Sequence, residues 1–159
     1  MQWFVHHSVI QKIKVFTPLM VLLNNMFLAF TALSPFISTL ANKYTGHVNH
    51  NEEIAVRISS IAIFISSSMV LLIYLNAIYQ ENIAFYQWAI VESHRSGNRS
   101  RLYLLLKTLI IPCVALVVFM CGFMSKYAAF FAYHLALFLV PCLFILLKYI
   151  FACHCLDVL

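Results

Sequence analysis

An all-α, polytopic membrane fold is predicted for this 159-residue chain by three features of its sequence. Hydrophobic residues make up 64% of it and charged residues 9%, far from the balance of a soluble domain. The apolar residues fall in four long runs, each above the ~18 residues that a membrane-crossing helix needs. Only three glycines are present, which argues against the alternating strands and turns of a transmembrane β-barrel. The predicted organisation is four complete transmembrane helices plus the tail of a preceding one. Residues 1–14 form that tail and a cytosolic turn, 15–151 the four-helix domain, and 152–159 a cytosolic tail.

The opening Trp3-Phe4-Val5-His6-His7-Ser8 is a short apolar and aromatic run that reaches a histidine pair and then the basic Gln11-Lys12-Ile13-Lys14. Such a run reads as the end of a helix whose beginning lies before it. The first complete span is expected from Val15 to Leu40, roughly 39 Å of helix at 1.5 Å per residue. Pro18 is tolerated in its first turn, and Pro35 is expected to kink it near its end. A short polar loop then covers Ala41 to Glu53.

The second span is expected from Ile54 to Tyr79, with Asn51 as its N-cap and Glu52 and Glu53 on the positive helix end. Glu53 and Arg57 stand four residues apart and can pair at the membrane edge. Ser59, Ser60, Ser66, Ser67 and Ser68 supply small residues that let neighbouring backbones approach in lipid. From Gln80 to Arg101 the chain turns amphipathic and then basic, and Phe85-Tyr86-Gln87-Trp88 has an aromatic-belt character. The third span is expected from Leu102 to Met124, with Lys107 snorkelling to the near interface. Ser125-Lys126-Tyr127 reads as a tight turn before a fourth span, Ala128 to Phe151.

The formal charge of +5 is read as a topology signal. Lys12, Lys14, Arg95, Arg99, Arg101, Lys107 and Lys148 fall on one side of the predicted bilayer, and Lys43, Arg57 and Lys126 on the other. The imbalance predicts cytosolic termini and a cytosolic middle loop. No soluble basic face is long enough for nucleic acid, so none is expected as a partner; the lipid bilayer is.

Ionisable and polar residues inside spans are costly and mark candidate sites. His134 reads either as a proton-sensitive contact with a neighbouring helix or a lumen, or as a neutral histidine hydrogen-bonded between helices. Asn24, Asn25 and Arg57 are candidates for interhelical polar contacts. Trp3 stands three residues before His6 and four before His7, so its indole can share a face with either imidazole. No acidic partner at the same depth is visible, and the cluster reads as half-built. No intramembrane carboxylate pair, HExxH or Gly-rich phosphate loop occurs, so neither an enzyme nor a cofactor is predicted. Cys153-His154-Cys155 lacks the separated ligand pairs of a zinc site and reads as an inert tail or an S-acylation point, with no metal predicted.

The order Trp3-to-Ser8, Lys12 and Lys14, Leu22-Leu23-Asn24-Asn25, Leu28-Ala29-Phe30 and Ser34-Pro35 resembles the endosomal/lysosomal potassium channel (transmembrane protein 175) family. Glu52-Glu53-Ile54-Ala55-Val56-Arg57, Ile111-Pro112-Cys113 and Val140-Pro141-Cys142 extend the resemblance along nearly the whole chain. It implies repeats of six helices in which the first carries a pore-lining Phe-Ser-Asp motif, and passage of potassium ions and protons across endosome and lysosome membranes. It places this chain at the end of a second repeat, with Trp3 and one of His6 or His7 supporting the first helix. Phe-Ser-Asp itself occurs nowhere in the 159 residues.

The expected function is therefore that of a fragment or short isoform supplying peripheral helices, self-associating or assembling with full-length channel subunits. The alternative is a non-conducting tetraspan scaffold or modulator of such subunits. No ring of charges or carbonyls that would form a filter is visible within the spans.

Overall fold

The computed structural model describes residues 2–44, 50–80, 84–87, 89–91 and 99–156, with side chains at all of these but 38, 40–44, 50–53, 126, 129 and 152–156. The described residues form α1 (Gln2–Ile10), α2 (Pro18–Tyr44), α3 (His50–Tyr79), α4 (Arg99–Met124) and α5 (Lys126–Leu156). Among the described residues, four stretches are long and apolar enough to cross a membrane: Pro18–Ile37, Ile54–Tyr79, Arg99–Met124 and Phe130–Phe151. The chain is an all-α, multi-span membrane protein.

Local chemistry explains most boundaries. α1 tightens at its end through bonds from Lys12 N–H to the Val9 carbonyl and from Ile13 N–H to the Ile10 carbonyl, an i to i+3 pattern common in last turns. α2 starts at Pro18, three residues after the expected Val15. The Lys14 and Val15 amides are engaged elsewhere, both donating to the Ala84 carbonyl, while Tyr86 N–H donates to the Lys12 carbonyl. An isolated antiparallel bridge between Ile13 and Phe85 completes this clasp. Thr17 is then the cap, its Oγ1 accepting from Met20 N–H at 3.3 Å, with Pro18 in the first helical position, where its missing N–H costs nothing.

Three further expectations are corrected. α2 runs on through Pro35 to Tyr44 and α3 begins at His50, so the connection is shorter than Ala41 to Glu53. Asn51 consequently lies inside the first turn of α3 and not at its cap. The side chain of Glu53, and with it the proposed Glu53–Arg57 pair, lies outside the described side chains. The turn between α4 and α5 is a single non-helical residue, Ser125, whose Oγ accepts from Ala128 N–H at 3.1 Å and caps α5.

α3 packs against both α2 and α4, α5 packs mainly on α4, and α1 lies against α3 and α4. The main core gathers around α1, where Val9, Met20, Phe27 and Ile73 are fully enclosed. A second, small cluster holds Val56 and Val118. Ser59, Ser60, Ser66 and Ser67 are buried, as small helix-contact residues should be. Ser60 and Ser67 return their hydroxyl protons to the Val56 and Ile63 carbonyls one turn back, so burial leaves no donor unmade. Phe131, Phe138, Ile145 and Tyr149 of α5 face outward, which suits a surface bathed in lipid.

Candidate functional site: the α1 junction

α1 is nine residues long, yet it meets three of the other helices through polar contacts. Gln2 Nε2 donates to Ser66 Oγ at 2.9 Å and to the Ile63 carbonyl at 3.3 Å, both on α3. His6 is buried, stacks on Phe27 with ring centroids 4.3 Å apart, and shares a 2.7 Å hydrogen bond between its Nε2 and Asn24 Oδ1 on α2. Since the amide oxygen can only accept, the His6 ring carries its proton on Nε2. Trp3 lies 5.4 Å from His6, centroid to centroid, on the rim of the same face.

The expected Trp–His cluster therefore forms with His6. His7 is exposed and pairs with Gln11 one turn on, through a 2.7 Å contact between Gln11 Nε2 and His7 Nε2. The cluster is also not half-built: its partner is Asn24 within this chain, an amide and not an acidic group. Asn25, one residue further, is exposed. The i, i+3 spacing brought Trp3 and His6 together correctly, but the partner's identity depends on how α2 packs.

Of two cations in the spans, Arg57 makes an interhelical polar contact as expected, whereas Lys107 departs from its expectation. Lys107 does not snorkel outward. It is buried, and its Nζ reaches across to donate to Ser8 Oγ on α1 at 2.8 Å. Arg57 directs its guanidinium to α4, donating from Nε at 2.9 Å and Nη2 at 2.6 Å to the Gly122 carbonyl. Gly122 lies within the last turn of α4, where carbonyls lack helical partners, and the positive charge suits the negative helix end. Arg57 also lies over the Phe123 ring, 4.5 Å from its centroid.

His134 makes no hydrogen bond to another helix among the described residues. It is exposed, and its Nδ1 bonds the Phe130 carbonyl of its own helix at 2.9 Å. Its ring neighbours, Phe130 and Tyr133, are also on α5. A cleft of ≈ 410 Å³ opens beside Trp3, lined among others by Thr31, Ser60, Val118, Tyr133 and Pro141. No group of three or more metal-ligating side chains occurs among the described residues. Cys113, Cys121 and Cys142 are free thiols, while the side chains of Cys153 and Cys155 lie outside the described ones.

No family model matches the chain. Curated relatives do. The endosomal/lysosomal proton channel TMEM175 of Danio rerio is 32% identical over 147 residues, covering 92% of this chain and 27% of the relative. The same channel of Bos taurus is 30% identical over 146 residues, 92% of this chain and 29% of its own length. That of Homo sapiens is 27% identical over 146 residues, with 28% of the relative covered. The chain thus spans little more than a quarter of the length of the curated relatives it matches. The resemblance carried by the Trp3-to-Ser8 opening and the downstream Leu-Leu-Asn holds: along 92% of its length, this chain is similar to the TMEM175 endosomal/lysosomal proton channels.

Proposed function

We propose that this chain supplies scaffold helices to a cation channel of the endosomal and lysosomal membrane, around a pore-lining helix contributed by residues outside these 159 or by another subunit. The observation that carries the reading is the similarity to proton channels along 92% of the chain. Protons are the conducted ion that the relatives' names support, and potassium is the further ion implied by the family resemblance. Assembly is with itself or with full-length channel subunits. The absence of Phe-Ser-Asp from the 159 residues is the reason for assigning the pore-lining helix elsewhere. Trp3 and His6 are the proposed support for that helix, and the cleft beside Trp3 favours such a contact.

Both termini are proposed to be cytosolic. The seven-to-three distribution of basic residues favours this, as does the closeness of Lys12, Ser100 and Arg101 around one small cleft away from Arg57 and Gly122. Patch-clamp of endolysosomal membranes tests the function. Expressed alone, the chain is expected to leave proton and potassium currents at background. Co-expressed with a full-length TMEM175 channel, it should co-purify with it and alter its current. A selective current from the chain alone would overturn the assignment of the pore to other residues.

A further inference from the structure

The apolar pattern of α1 does not decide which of its faces turns inward. Trp3, Phe4, Val5, Val9 and Ile10 surround it on all sides, and in lipid an apolar face gains little by leaving the bilayer for another helix. Packing of Val5 and Val9 into the core turns one face inward, and polar contacts fix the rotation more finely. Gln2 and His6 stand four residues apart on one face, and both reach partners on α2 and α3. These two contacts lie on the same buried side of α1 as Val5 and Val9.

Lys107 closes the opposite side. Ser8 is two residues beyond His6, about 200° around the helix at 3.6 residues per turn, and Phe4 shares the Ser8 face at i, i+4. The Lys107 Nζ donates to Ser8 Oγ at 2.8 Å and sits 4.1 Å from the Phe4 ring centroid. Ser8 in turn gives its hydroxyl proton to the Phe4 carbonyl at 2.8 Å, which fixes the hydroxyl's lone pairs toward the ammonium. Lys107 lies eight residues into α4, about 12 Å from its Arg99 end, and is only 6% exposed. A lysine has a long enough stem to reach an interface instead, so its course across to α1 is a specific choice of partner.

We infer that Lys107 is the positioning residue of α1: by holding Ser8 and Phe4 from α4, it sets the rotation of α1 about its axis and hence the direction in which Trp3 faces. Among the described residues this is the one charged contact that α1 makes. The orientation of α1 is a property of the chain's own contacts, independent of any part the chain takes in conduction.

The test uses the full 159-residue chain in bilayers of phosphatidylcholine, with Trp88→Phe making Trp3 the sole indole. Quenching of Trp3 by brominated acyl chains reports its orientation toward lipid. Lys107→Met and Ser8→Ala are each expected to change that quenching by about twofold, since each removes the hydrogen bond that holds the Ser8 side of α1 to α4. Lys107→Arg, which keeps charge and donors, should restore it, and Lys148→Met should leave it unchanged. Far-UV circular dichroism checks helicity in each case, and Ser8→Ala carries the test by itself where Lys107→Met fails to fold. Unchanged quenching in a helical Ser8→Ala chain, or an Arg variant as disturbed as the Met variant, would overturn the inference.

Discussion

Arg57 and Lys107 are two cations within predicted spans, and the ends of the bundle they occupy use them differently. Arg57 lays a planar fork on one carbonyl at the end of α4, with two donors converging on Gly122. Lys107 brings a point charge to a hydroxyl and an aromatic face on a short neighbouring helix. The first contact terminates a helix and the second orients one. Each depends on a small or polar residue at the receiving position: Gly122 lets the arginine stem in, and Ser8 offers the oxygen. A Cβ added at Gly122 would stand 2.9 Å from Arg57 Cγ, in the fixed part of the side chain and not at its flexible tip.

The largest effect is expected where the fork is lost. Arg57→Leu should lower stability by about 1.5–3 kcal/mol, because it removes charge-assisted bonds and leaves the Gly122 carbonyl unmet in a low-dielectric setting. Arg57→Lys should recover only part of this, and Gly122→Ala should cost about 1–2 kcal/mol by displacing the arginine stem against a gain in helix propensity. Reversible unfolding in mixed micelles measures all three, and a neutral Gly122→Ala would show that the close approach is not required.

At the α1 end, the His6–Asn24 bond should be smaller in worth. A double-mutant cycle of His6→Phe and Asn24→Leu is expected to give a coupling of about 0.6–1.7 kcal/mol, the range found for polar contacts between membrane helices. Coupling near zero would mean that the 2.7 Å contact is replaced by other partners when broken. The smallest effect belongs to α5. His134→Leu should change stability by less than about 0.5 kcal/mol, since the imidazole is exposed and bonded within its own helix. A larger loss would point to a partner for α5 supplied by another chain or segment.

These contrasts also mark what could be read before folding. The four spans are legible because bilayer thickness and apolar run length are properties of contiguous residues, and the helix of the second span ends at Tyr79 as expected. The start of α2 was misread because Lys14 and Val15 spend their amide protons on Ala84, far along the chain. The ring of His134 bonds within its own helix, because depth in a span does not set the direction a ring takes. Lys107 was undervalued for the same reason: a long stem permits either a path to water or one to a neighbouring helix, and sequence spacing does not choose between them.

By itself, the sequence determined that this is a multi-span helical membrane protein with four apolar spans and which channel family it resembles. These follow from composition, run length and motif order, all read along one dimension. Only the tertiary structure decided that Asn24 completes His6, that Lys107 turns inward to Ser8, and that Arg57 needs the missing side chain of Gly122. In lipid such choices rest on hydrogen bonds between residues 18 to 99 positions apart, and the geometry of those bonds exists only once the helices are packed.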